Sequence, residues 1–266
     1  MSSVAVPTSP RAIRVRVRDV LLPKEHGSWS LALEPVALGL LVAPSRAGAY
    51  LSVAVIAGFF ARRPLKLVWR EKQPERRRAA ALGLAWCGAI ALAAGSLALA
   101  TAGVELALWL LPFAIAGAAF LFFDLRNDGR EEFAEIVGAA AFASIAAALA
   151  VAAGASHIAA LAILVAMAGR AVPSVMYVRA RVRGAKTGDY RVAPALTAAL
   201  GAVLLASALW FWGWAPLVVP LALLALLIRA TAGLFRREPV RGRILGMQEA
   251  VLGLAYVSLL AAVWRG

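Results

Sequence analysis

Long apolar stretches alternate along this chain with polar connections. The connections themselves alternate between short neutral ones and longer basic ones. Nine apolar stretches can be drawn, at 24–43, 47–66, 79–98, 104–123, 133–152, 157–176, 193–212, 215–234 and 244–263. Each is close to the ~20 residues that a helix needs to cross a bilayer. None shows the ~10-residue alternation of a membrane barrel strand. The short connections, Pro44–Arg46, Thr101–Gly103, Gly154–Ser156 and Gly213–Trp214, hold the Gly, Pro and Ser of tight turns. The pattern predicts an all-α bundle of about nine transmembrane helices. A basic N-terminal arm (1–23) precedes one membrane domain (24–266).

Charge orients this ladder. Basic clusters fall at 11–24, 62–78, 126–130, 179–191 and 229–243, and two apolar stretches separate each from the next. All then lie on one side of the membrane. Of the 28 Lys and Arg, only Arg46 and Arg265 fall on the other. This is the positive-inside asymmetry, so the N-terminus and the basic loops are expected in the cytoplasm. Trp109, Trp210, Trp212, Trp214 and Trp264 gather toward the opposite interface, as an aromatic belt does.

Composition agrees with that reading. Hydrophobic residues make up 62% of the 266, and mean hydropathy is +0.81, more apolar surface than a soluble domain of this size can bury. A net charge of +14 would suggest nucleic acid in a soluble protein. Here the distribution assigns it to topology and to the anionic inner leaflet, so no nucleic-acid partner is expected. The lone Cys87 excludes an internal disulfide. No signal-peptide core follows the first ten residues, so the first stretch is expected to insert uncleaved. A multi-pass protein of a bacterial inner membrane results.

Candidate chemistry sits where ionisable residues enter the apolar stretches. Glu34 lies ten residues past Lys24, about 15 Å along a helix. An acid at that depth is costly unless paired, neutral or hydrated. His26, Ser30 and Glu34 share one helical face, with Pro35 next to Glu34. They form a polar stripe leading inward, with Glu34 and His26 as acid–base candidates. Lys24 and Glu25, which precede that stripe, are substrate-binding candidates. Arg170, Arg229 and Glu249 lie within the basic-side portions of later stretches, and Arg170 could pair with Glu34 or with Glu249. Arg63, Arg170, Tyr177, Arg179, Arg181 and Glu249 are candidates to hold an anionic or lipid head group. A purely topogenic role is the alternative for the Arg179–Arg191 loop. Asp124 and Asp128 stand one helical turn apart. Such carboxylates suit Mg²⁺, the one cofactor considered; an ordinary charged turn is the alternative.

The segment Pro23-Lys-Glu-His-Gly-Ser-Trp29, followed by a helix bearing Glu34, resembles the YwiC-like family of bacterial membrane proteins. Arg63-Pro-Leu, the Asp124 segment and Tyr177-Val-Arg-Ala-Arg181 extend that resemblance over most of the chain. It implies no biochemical activity. The helix count and orientation also resemble UbiA-type prenyltransferases. Those carry Asp-rich motifs in the loops after the second and sixth helices, where this chain has Arg62, Arg63 and Lys66, and only Asp189. That likeness implies a transferase acting on a membrane lipid or isoprenoid diphosphate. A proton- or ion-coupled transporter and a non-catalytic membrane assembly partner remain as alternatives. Membrane lipids are the expected partners, and the oligomeric state stays open.

Reporter fusions in the Arg179–Arg191 loop and after Gly266 should lie on opposite sides of the membrane, the first in the cytoplasm. Both on one side would overturn the nine-span order.

Overall fold

The computed structural model describes residues 20–22, 26–126, 128, 131–236 and 241–264, with backbone alone at 26–28. The described residues form nine α-helices and no strand. They are α1 (His26–Val42), α2 (Arg46–Arg70), α3 (Pro74–Ala102), α4 (Val104–Arg126), α5 (Glu132–Ala152), α6 (His157–Thr187), α7 (Val192–Phe211), α8 (Val218–Arg236) and α9 (Gly242–Trp264). Each overlaps one of the nine stretches, but α6 runs on through Thr187, so most of the Arg179–Arg191 segment expected as a loop is helix.

Seven of them, α3 to α9, are long and apolar enough to cross a membrane. The chain is a multi-pass membrane protein. Helix α1 is shorter, with an apolar run of Trp29–Val42, and α2 ends in Arg62, Arg63, Lys66 and Arg70. Both are held by neighbours: α1 packs on α5, α9 and α2, and α2 on α3. The turns opposite the basic end are short. A single residue, Gly103, joins α3 to α4 at φ 79°, where a side chain would be strained. Ser45 and Ser156 cap α2 and α6 by accepting from the amides of Gly48 and Ala159.

Helix α5 is the axis of the bundle. Of its apolar window 72% is buried, against 6% for that of α4, whose outer face is left to lipid. Its alanines, among them Ala139, Ala143, Ala146 and Ala150, let α1, α4 and α6 approach closely. On the side away from the basic end, Leu38, Ala166, Met167, Tyr256, Val257 and Leu260 form a dense core. There the Tyr256 hydroxyl donates to the Ala166 carbonyl at 2.9 Å and ties α9 to α6.

The α1–α5 contact is tight enough to test. A Cβ on Gly39 would lie 2.5 Å from that of Leu149, whereas nothing stands within 4 Å of one on Gly58. Thermal unfolding in detergent should show Gly39→Ala destabilised by about 1–3 kcal/mol through overpacking. Gly58→Ala should unfold as the wild type does.

Candidate functional site

Two prolines inside helices adjoin the charged residues. Pro35 in α1 follows Glu34, and Pro173 in α6 stands three residues after Arg170. Neither has an N–H to give, so the carbonyls of Leu31 and Gly169 lose their usual helical donor. Beside this charged cluster the bundle opens into a cavity of about 330 Å³, walled by α1, α2, α4, α5, α6 and α9.

The inner part of the cavity is an ion network. Arg170 is 3% exposed. It donates to the Glu249 carboxylate at 3.0 Å and to the Glu249 backbone carbonyl at 2.7 Å. The Nη2 that donates to the carbonyl also lies 3.7 Å from the Glu34 carboxylate. Glu249 also accepts from Arg229 of α8 and from the Ser174 hydroxyl. Glu34 accepts from Ser30, one turn earlier in α1. The two acids are therefore unequal. Glu249 is saturated by two guanidinium groups and a hydroxyl. Glu34 has one hydroxyl and one longer ionic contact, both on Oε1, and its Oε2 has no partner among the described residues. Gly253 makes room for it, since a Cβ there would fall on the Glu34 carboxylate. Arg170 keeps one defect, a buried Nε–H without an acceptor among the described residues.

Exposure rises toward the basic end. Glu135 and Arg179 pair at 2.7 Å with side chains about a third exposed (33% and 30%). Arg62 also lines the cavity and binds Asp124 at 2.8 Å, beside Lys66 at 3.1 Å. The Arg62 guanidinium lies 4.6 Å from the centroid of the Phe120 ring. Phe59, Phe120 and Phe142 supply apolar wall. Gly138 admits Phe120, whose Cδ2 would stand 2.9 Å from a Cβ there.

The structure thus brings Glu34, Arg170, Arg179 and Glu249 to one cavity, and Arg170 pairs with both acids that the sequence offered. It places three other candidates elsewhere. Arg63 donates to the Leu22 carbonyl. Arg181 donates to the Gly233 carbonyl. Tyr177 lies under the Arg229 guanidinium, 4.4 Å from the ring centroid, and against Gly233. Tyr177 and Arg181 are one turn apart and face α8; Arg179, between them, turns to the cavity.

Asp124 is buried, and its two oxygens are taken by Arg62 and Lys66, while Asp128 is exposed. No group of three or more His, Cys, Asp or Glu among the described residues could hold a metal ion. This donor set does not suit Mg²⁺. Lys24 and Glu25 lie outside the described residues; His26 opens α1, and its side chain is likewise outside them.

Sequence reading passed over Ser174, the three phenylalanines and the glycines. A signal did exist on α9: Gly246, Glu249 and Gly253 fall at i, i+3 and i+7, an acid flanked on its own face by two residues without side chains.

Removing Arg170 would leave two facing carboxylates. Arg170→Leu should cost about 3–5 kcal/mol, as breaking a buried ion network does. Arg179→Leu, at the exposed rim, should cost under about 1 kcal/mol. Thermal melts of both in detergent check the ordering.

No similar protein is found among curated proteins, and none among solved structures. Residues 22–150 match the family model described as YwiC-like protein. They carry α1 to most of α5, with Glu34, Arg62 and Glu135; Tyr177–Arg181 lies beyond the match. Over that stretch this membrane-spanning helical chain is similar to the YwiC-like proteins.

Proposed function

We propose that this protein is an enzyme of a bacterial inner membrane that acts on a membrane lipid or isoprenoid in the Glu34–Arg170–Glu249 cavity, a transferase broadly of the UbiA kind. The basic end is the cytoplasmic one, by the charge asymmetry of the loops. The carrying observation is the inequality of the two buried acids. Glu249 is locked by Arg170, Arg229 and Ser174. Glu34 lines the cavity with one oxygen unpartnered among the described residues. It is the group placed to exchange a proton with a bound head group. Glu249 positions Arg170, and Ser30 orients the Glu34 carboxylate.

The walls support a lipid substrate, since three phenyl rings and aliphatic side chains face the cavity. The packed core beyond Arg170 supports chemistry over passage, because a continuous path would have to breach Leu38, Met167 and Leu260. One observation favours a second reading, proton-coupled transport: two carboxylates share one arginine deep in the bundle, an arrangement suited to a proton relay.

Glu34→Gln should fold to wild-type levels, since Gln fills the same space and can accept the same hydrogen bonds. It should fail to restore a deletion strain, whose quinone or prenyl-lipid pool should differ from that of the parent. Full restoration by Glu34→Gln would remove Glu34 from the chemistry. An unchanged lipid pool, together with solute uptake uncoupled from protons in Glu34→Gln, would favour the transporter.

A further inference from the structure

We propose that the head group received by this cavity is an uncharged hydroxyl, so that the ligand is a long-chain alcohol or phenol rather than a diphosphate. The inference rests on the lipid reading above and narrows it.

Among the described residues, the charges lining the cavity cancel. Arg62, Arg170 and Arg179 face it, and so do Glu34, Glu135 and Glu249. Each of these arginines already holds a carboxylate. Arg62 holds Asp124 at 2.8 Å, Arg179 holds Glu135 at 2.7 Å, and Arg170 holds Glu249 at 3.0 Å. An anionic head group would compete for Arg62 with Asp124, which that guanidinium holds through Nε, and could displace it. That carboxylate is 4% exposed and would be left with Lys66 alone. Taking Arg170 would free Glu249 in the same way. A diphosphate brings several negative charges to a lining that has no surplus of positive ones among the described residues.

Beside the buried Nε–H of Arg170, the one donor left over in the network among the described residues, the cavity offers an acceptor. Oε2 of Glu34 has no partner among the described residues, and the Ser30 hydroxyl is next to it on the same helical face. A neutral hydroxyl can donate to that oxygen without disturbing any pair. Depth favours the same choice. Glu34 is eight residues into α1, so a head group reaching it leaves the hydrated rim of Glu135 and Arg179 behind. Desolvation there costs a hydroxyl far less than a diphosphate. The apolar remainder of the molecule meets Phe59, Phe120 and Phe142.

The test uses the full-length protein in phosphatidylcholine nanodiscs and a photoreactive diazirine derivative of a C15 alcohol. Labelling should map to the peptides holding Phe59 and Phe142. Unlabelled farnesol should displace the probe at concentrations at least about tenfold below those needed for farnesyl diphosphate. Glu34→Gln should weaken farnesol competition about tenfold, the loss of one hydrogen bond to a charged group. The wild-type comparison needs no variant and stands even if Glu34→Gln folds poorly. Displacement by the diphosphate at equal or lower concentration would overturn the neutral head group and leave the lipid reading intact. Displacement by neither would overturn both.

Discussion

The structure is organised by one constraint: a guanidinium far from water must find its counter-charges inside the bundle. Arg170 meets that demand with Glu249 and Glu34, and Glu249 in turn recruits Arg229. Helices α1, α6, α8 and α9 are thereby fixed to a single charge cluster. Two acids and two bases leave it neutral as a set, although each member alone would be costly in a low-dielectric interior. The small residues follow from the same demand. Gly253 exists in this packing as the space into which Glu34 fits, and α5 is thin enough to let α1 reach the network.

Against that background, the helices were the legible part of the fold. Their lengths are set by membrane thickness, and their ends by Gly, Pro and charge, all of which are local in sequence. The inward stripe of Ser30 and Glu34 could be read from its i, i+4 spacing, and the structure joins the two by a hydrogen bond. Partnerships between helices were less legible. Arg170 had two candidate acids, and spacing along α6 cannot say that it meets both. The Asp124 segment shows why. Its acids form a suggestive series along the chain, but the helix opposite brings Arg62 and Lys66 to Asp124, and a neighbour across the bundle leaves no trace in that spacing. The stretch from Tyr177 to Arg181 looked like one basic unit. A helix turns about 100° per residue, so it divides between the cavity and α8.

The rim has a different physical character from the interior. Arg179–Glu135 and Arg191–Glu132 join α6 and its following loop to the start of α5, with side chains about a third to a half exposed. Such pairs contribute little stability. They do hold the end of α6 over the cavity, and Arg191, at φ 38°, turns the chain sharply into α7. The architecture is therefore firm at its centre and loosely fastened at its mouth.

The dense core beyond Arg170 has one more consequence. With Leu38, Met167, Val257 and Leu260 filling the far half, a molecule enters and leaves through the same half of the bundle. Traffic then has an order. On the proposed reading, a molecule whose head group rests on Glu34 would load before, and depart after, any partner that follows it by the same way.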